Sequence, residues 1–212
     1  MTSRLCLDLN GVVIDTPAAL LALSREISGL SISPAAFAGK ETVGKEFALL
    51  TELGRAEFLP EHYEEAKRRF FEDRHDFFRC ARPVKGVVRA AQILAAHGWS
   101  IAIVSDAKRL QETHLNEWLH RHKFPSCEKI LTRGNEPKEI YQKCCDVVVD
   151  NEIEQLLPLR SQNGLRLVHF LPEEGEVGCD AVRPTSVDPE IMPVRGWFEA
   201  LPYVRQFQSK AA

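Results

Sequence analysis

Three short apolar runs in this chain end in polar residues that could act together. Leu5-Cys6-Leu7 runs into Asp8, with Asn10 just beyond. Ile101-Ala102-Ile103-Val104 runs into Ser105 and Asp106, and Val147-Val148-Val149 runs into Asp150 and Asn151. Lys138 stands between the second and third runs. In an open α/β sheet, ligands bind beyond the carboxyl ends of the strands, so these residues would meet in one crevice. Carboxylates brought together repel unless a cation lies between them, and a hard divalent ion such as Mg2+ suits oxygen ligands of this kind. A metal, a hydroxyl and an ammonium together suit the oxygens of a phosphoryl group. Each residue also has a plainer reading. Asp8 could cap a turn, Ser105 and Asp106 could cap the helix that follows, and Lys143 is an alternative to Lys138.

The elements that must position these residues alternate along the chain. Strands are expected at 4–9, 99–104, 129–132, 146–150 and 165–171. Helices are expected after Thr16-Pro17, with Thr16 as N-cap and Gly29 as terminator, and at about 60–79, 85–97, 107–122, 136–143, 152–159 and 194–208. The Pro- and acid-rich stretch 172–192 reads as a loop. Alternation of strand and helix implies a parallel sheet covered on both faces. The block 16–82 breaks the alternation because it is helical throughout. It reads as a cap inserted into a core made of 1–15 and 83–212. Phe70, Phe71, Phe77 and Phe78 fit cap packing better than a substrate pocket.

The chain has 212 residues, 44 % of them apolar and 27 % charged, as in an ordinary folded domain. No run approaches the roughly 20 apolar residues of a membrane span. Lys+Arg number 27 against 30 Asp+Glu, and this net charge of −3 argues against nucleic acid or an acidic membrane as partner. His114, His120 and His122 lie in a charged helical stretch and read as a solvated face. Met1 to Asp8 leave no room for the apolar core of a secretory leader. The six cysteines lack paired metal-ligand spacing, so they are expected to be reduced thiols in a cytoplasmic protein. Nothing in the sequence sets an oligomeric state.

Taken in order, the motifs resemble those of the haloacid dehalogenase-like (HAD) hydrolases. Asp8-Leu9-Asn10-Gly11-Val12-Val13 is similar to the first motif, whose usual form is DxDG(V/T)(V/L). Ser105 in Ile-Val-Ser matches the second, Lys138 the third and Val149-Asp150-Asn151 the acidic fourth. The resemblance runs from residue 4 to about 171. Phe77-Phe78-Arg79, Pro83-Val84-Lys85-Gly86 and His114 to Leu119 look more narrowly like capped relatives of the cytosolic 5′-nucleotidases. The resemblance implies a Rossmannoid parallel-sheet core with an inserted helical (C1-type) cap. It implies an Mg2+-dependent phosphatase acting on a small phosphorylated metabolite or nucleotide. Asp8 would be the nucleophile that forms an aspartyl-phosphate. Ser105, Asp106 and Lys138 would bind the phosphoryl oxygens. Asp8, Asp150 and the backbone carbonyl of Asn10 would ligate Mg2+.

The sequence departs from the family pattern at two positions. Asn10 stands where the usual motif has the aspartate that protonates the leaving oxygen and later activates water. An amide does neither, and loss of a general acid–base costs about 10²–10⁴ in rate. Asn151 stands where a second acid is common, with Glu152 or Glu154 as possible outer metal partners. The alternative is therefore a catalytically degenerate HAD fold kept for binding or regulation, and Asn10 could also be an introduced substitution. Asn10-Gly11 is further a pair prone to deamidation, which would regenerate an acid.

Overall fold

The computed structural model describes residues 2–29, 65, 68–69, 74–106, 112–132, 141, 145–160, 162, 164–171 and 189–207. Its strands are β1 (Arg4–Asp8), β2 (Ser100–Asp106), β3 (Glu128–Thr132), β4 (Val147–Asp150), β5 (Arg166–Phe170) and β6 (Ile191–Val194). The described helices are α1 (Thr16–Ser28), α2 (Arg74–Cys80), α3 (Val87–Ala96), α4 (Glu112–Arg121), α5 (Ile153–Leu156) and α6 (Trp197–Arg205). A 3-10 turn, Leu157–Leu159, follows α5.

The strands form one sheet in the order β3-β2-β1-β4-β5-β6, and all neighbouring pairs are parallel. The expected α/β parallel core is thus present. Side chains alternate across a strand, and the apolar runs feed both faces. Leu5 and Leu7 join Ile101, Ile103, Val147, Val149 and Val168 in one layer, covered by α3, α4 and α6 through Leu94, Trp118 and Trp197. Cys6 joins Ala102, Val104, Val148 and Leu167 in the other, with Tyr141, Leu156 and Leu159 over them.

The chain runs outward through β2 and β3 on one side of β1, then through β4, β5 and β6 on the other. The strand order therefore reverses at β1, which is where such sheets open a crevice for a ligand.

Residues 13–15 and 82–84 lie side by side. Asp15 N–H donates to the Arg82 carbonyl at 2.9 Å, Val84 N–H to that of Val13 at 3.0 Å, and Ile14 and Pro83 form an antiparallel bridge. Leu21, Leu23, Phe77 and Phe78 are buried in the same apolar cluster as the first face of the sheet. The two phenylalanines therefore pack, as expected; Phe70 and Phe71 lie outside the described residues. The Trp118 indole N–H donates to the Ala81 carbonyl at 3.0 Å, and Arg121 donates to the carbonyl of Phe78.

The structure differs from the sequence reading in three places. The N-cap of α1 is Asp15, not Thr16, because Asp15 Oδ1 accepts from Ala18 N–H at 3.1 Å while the Thr16 hydroxyl turns back to the Ile14 carbonyl. β6 (Ile191–Val194) takes the end of the stretch expected to be loop and the first residue of the expected last helix; it is an edge strand whose Pro193 hides it from a pattern search and is tolerated at a sheet edge. Cys6 and Cys145 are not free thiols but a disulfide, with Cα atoms 5.9 Å apart and a sequence separation of 139. Only folding brings β1 to the turn before β4, so no local spacing announces the pair. Such bonds persist where surroundings oxidise, which removes the thiol argument for a cytoplasmic location. Cys80 and Cys127 are free.

Closing so long a loop stabilises the fold by about 2–4 kcal/mol. Urea denaturation with and without dithiothreitol should show that loss, with a lower midpoint in reductant; coincident curves would mean that the bond does not form in solution.

Candidate active site

The crevice at the reversal point is lined by the ends of β1, β2 and β4. The register pairs Asp8 with Val104 and Leu7 with Val149, so Asp8 and Asp150 stand level at the carboxyl edge, with Ser105 one residue beyond Asp8's partner on β2. Beyond Asp8 the chain folds back in a tight loop. Leu9 N–H donates to the Val104 carbonyl at 3.1 Å, Ile14 N–H to that of Leu9 at 2.8 Å, and Gly11 N–H to that of Ile14 at 2.8 Å. Gly11 has φ +79°, in the left-handed region, and a Cβ there would lie 2.6 Å from Asn151 Nδ2. Glycine is needed for both reasons. The Trp197 indole N–H holds the loop from below by donating to the Val12 carbonyl at 3.1 Å.

Asp150 is 2 % exposed. Its Oδ2 accepts from the Tyr141 hydroxyl at 3.2 Å and its Oδ1 from the Glu152 N–H at 2.8 Å. Burial, with a contribution from the Glu152 charge, pushes its carboxyl up to about 7 against the N–H and O–H donors that oppose it. Burial also holds Asp8 well above the ordinary carboxylate range, reinforced by Asp150 and Glu152, while the N–H groups of Asn10 and Leu9 pull it back. Two adjoining carboxyl groups raised in this way, Asp150 buried and Asp8 half-buried, mark a place where positive charge is wanted. Close to them, the Ser105 hydroxyl and the side-chain carbonyls of Asn10 and Asn151 are buried with no protein partner.

The structure therefore brings together Asp8, Asn10, Ser105 and Asp150, and adds Asn151. Asp106 ends β2 opposite Thr132, placed by its backbone. Lys138 and Lys143 lie outside the described residues. Glu152 sits at the site through its N–H and its charge, whereas Glu154 is exposed. Tyr141 and Thr132 were not anticipated. Thr132 is buried and donates to the Ser105 carbonyl at 3.3 Å. Tyr141 lies three residues beyond Lys138, and no local pattern separates it from a core aromatic. His120 is exposed; His122 lies against the Trp118 ring at 4.7 Å, and His114 against His75 at 5.2 Å.

No group of three His, Cys, Asp or Glu side chains gathers among the described residues. The donor set is instead two carboxylates with amide and backbone oxygens. That set is hard and all oxygen, and its unpartnered atoms fit Mg2+, with less charge than a site of three or four acids.

No protein-family model matches this sequence, and no curated protein does. Solved structures do match. A HAD family hydrolase from Deinococcus radiodurans R1, solved with bound phosphate and sodium, is 14 % identical, with 97 % of this chain and 96 % of that one covered and a TM-score of 0.62. A predicted phosphoglycolate phosphatase from Haemophilus somnus 129pt is 13 % identical, with coverages of 96 % and 98 % and a TM-score of 0.59. A conserved haloacid dehalogenase-like protein of unknown function from Agrobacterium tumefaciens C58 is 18 % identical, with coverages of 97 % and 98 % and a TM-score of 0.58. The chain has the haloacid dehalogenase-like fold. None of these three is described as a 5′-nucleotidase, so the narrower likeness gains nothing from them.

Within this HAD-like fold, the tight loop bears on the chemistry of Asn10-Gly11. Deamidation needs the Gly11 nitrogen to attack the Asn10 side chain, and that nitrogen is committed to Ile14. The folded protein kept at neutral pH should acquire no acid at this peptide by mass spectrometry, while the unfolded chain should; conversion at equal rates would show that the loop opens freely. The carboxylate pair predicts a pH effect. A raised folded-state value means that the folded protein keeps a proton the unfolded chain releases. The stabilisation is complete below about 4, the unfolded value, and is lost as pH rises through the Asp150 value of about 7. In EDTA the protein should therefore melt lower at pH 8 than at pH 5. Mg2+ should raise the melting temperature more at pH 8, where the pair is ionised. Asp150→Asn should flatten both responses; an equal Mg2+ shift at both pH values would contradict this account.

Proposed function

We propose that this protein is a hydrolase that transfers the phosphoryl group of a small phosphorylated substrate to Asp8 and then to water. The observation that carries this reading is the placement of Asp8 beside Asp150 and the unpartnered Ser105 hydroxyl at the point where the strand order reverses. The likeness to a phosphatase-like structure and to one holding phosphate points the same way.

Asp8 would attack phosphorus, forming an aspartyl-phosphate and releasing the leaving group; attack by water on that intermediate would return Asp8 and phosphate. Asp8, Asp150 and the Asn10 carbonyl would hold Mg2+, which supplies positive charge against the phosphoryl oxygens. Tyr141 and the Glu152 N–H fix the two oxygens of Asp150, so that carboxylate needs no reorganisation when the substrate arrives. The Ser105 hydroxyl would donate to a phosphoryl oxygen, assisted by the backbone at Asp106 and by Lys138. Residues 16–82 would form the helical cap that shields the site and selects the substrate. Among the described residues no helix is long and apolar enough to cross a membrane.

The two amides at positions 10 and 151 favour a second reading, a HAD fold retained for binding. A panel of phosphate esters assayed with Mg2+ separates the two. Hydrolysis by the natural sequence, reduced by about 10³-fold or more in Asp8→Asn, supports the enzyme. Turnover of nothing, together with no Mg2+ binding by calorimetry, leaves only the binding protein; activity surviving Asp8→Asn would place the nucleophile elsewhere.

A further inference from the structure

Resting on the phosphoryl-transfer reading, we propose that the Cys6–Cys145 disulfide is a redox control on the candidate site, acting through Tyr141. With the bond formed, Tyr141 is held against Asp150 and the site binds Mg2+. With the bond reduced by a dithiol, the protein stays folded and loses most of that affinity. Tyr141 is on this account a positioning residue, because it touches the carboxylate and not the substrate.

The bond joins the supports of both carboxyl groups. Cys6 lies in β1 two residues before Asp8, and its register partner on β4 is Val148, two residues before Asp150. Cys145 stands four residues after Tyr141 and five before Asp150. The Tyr141 hydroxyl donates to Asp150 Oδ2 at 3.2 Å, so the chain from 141 to 150 closes on itself. The disulfide ties it to β1 between those two ends. After Cys145 the chain has backbone anchors of its own. Asp146 N–H donates to the Arg4 carbonyl at 2.9 Å, and Arg4 N–H to Asp146 Oδ2 at 2.7 Å. Before Cys145, Tyr141 is buried with Cys6, Val148 and Leu156 in the second apolar layer. Reduction therefore leaves β1 and β4 paired and loosens the side on which Tyr141 stands. A partner that orients a metal-binding carboxylate is worth about 10–100-fold in metal affinity.

The reductant is a dithiol. Cys145 is half-buried and Cys6 fully buried, so attack falls on the Cys145 sulfur. One thiolate of the dithiol bonds to Cys145 Sγ and the bond to Cys6 Sγ breaks. Cys6 keeps the electron pair and takes a proton. The second thiolate then attacks the sulfur of the first, and Cys145 leaves as a thiolate that also takes a proton. Two electrons have passed: the dithiol ends as an internal disulfide and the protein holds two thiols. Oxidised glutathione takes the electrons back, giving two glutathione thiols and the Cys6–Cys145 bond.

The experiment measures Mg2+ affinity by calorimetry in dithiothreitol and in oxidised glutathione. Alkylation and peptide mass read the state of each cysteine, and circular dichroism checks the fold at the same temperature. The oxidised protein should bind Mg2+ about 10-fold or more tighter than the reduced one, and reoxidation should restore the difference. Excess Mg2+ should return most of the reduced protein's turnover of phenyl phosphate, so that the change falls on the Mg2+ requirement and not on kcat. Cys145→Ser keeps the free thiols Cys80 and Cys127 and should match the reduced protein in both media. Tyr141→Phe keeps the ring and the disulfide, and should bind Mg2+ weakly in both states with no redox response. Should either variant misfold, the two affinities of the natural protein decide alone. Equal affinities with the disulfide verified, or a full redox response in Tyr141→Phe, overturn the inference and leave the hydrolase standing. So does unfolding on reduction, since the bond would then serve the whole fold. No Mg2+ binding and no hydrolysis of phosphate esters in either state overturns both readings.

Discussion

The repulsion between Asp8 and Asp150 is the constraint on which the site depends. Two carboxyl groups at neighbouring strand ends are both raised, first by loss of water, with the Asp150 charge further disfavouring that of Asp8 and the Glu152 charge disfavouring both. A fold tolerates such a pair only where something outside the chain makes the charged state useful. The surrounding sheet is built to hold them there. β1 lies between β2 and β4, and its register leaves no freedom to slide. A slip of one residue would turn Leu5 and Leu7 out of the first apolar layer and Cys6 into it.

Around that pair, packing and hydrogen bonding divide the work. Apolar burial sets the strands, and then single polar contacts aim the loops. Trp197 reaches across from the last described helix to the Val12 carbonyl, and Trp118 holds the Ala81 carbonyl just after α2. Each indole spends its one donor on a backbone group beside the site loop or its return strand, while its ring fills the core. Gly11 lets the Asn151 amide come against the loop backbone, so the first and fourth strand ends are in van der Waals contact before any ligand arrives.

The legible part of the molecule is the part governed by short range. An uninterrupted apolar run ending in a polar residue reads as a buried parallel strand, and Asp8, Ser105 and Asp150 lie at the carboxyl ends of such strands. The helix stop at Gly29 is equally local, because its left-handed φ of +68° favours glycine. What escaped was set by distance. Tyr141 belongs to the site because folding lays it on Asp150. Cys6 meets Cys145 only when β1 and β4 pair, and β6 is a strand only because β5 offers it an edge. The one-residue error at the start of α1 has another origin: Asp15 and Thr16 are both good caps, and only the direction of their oxygens decides between them.

The amides at positions 10 and 151 gain a physical meaning from the same repulsion. An acid at either place would add a further buried negative charge to a corner that already holds two raised carboxyl groups. The metal-free fold would then be less stable at neutral pH, and its need for a cation greater. With amides, the corner keeps its hydrogen-bonding shape and sheds charge.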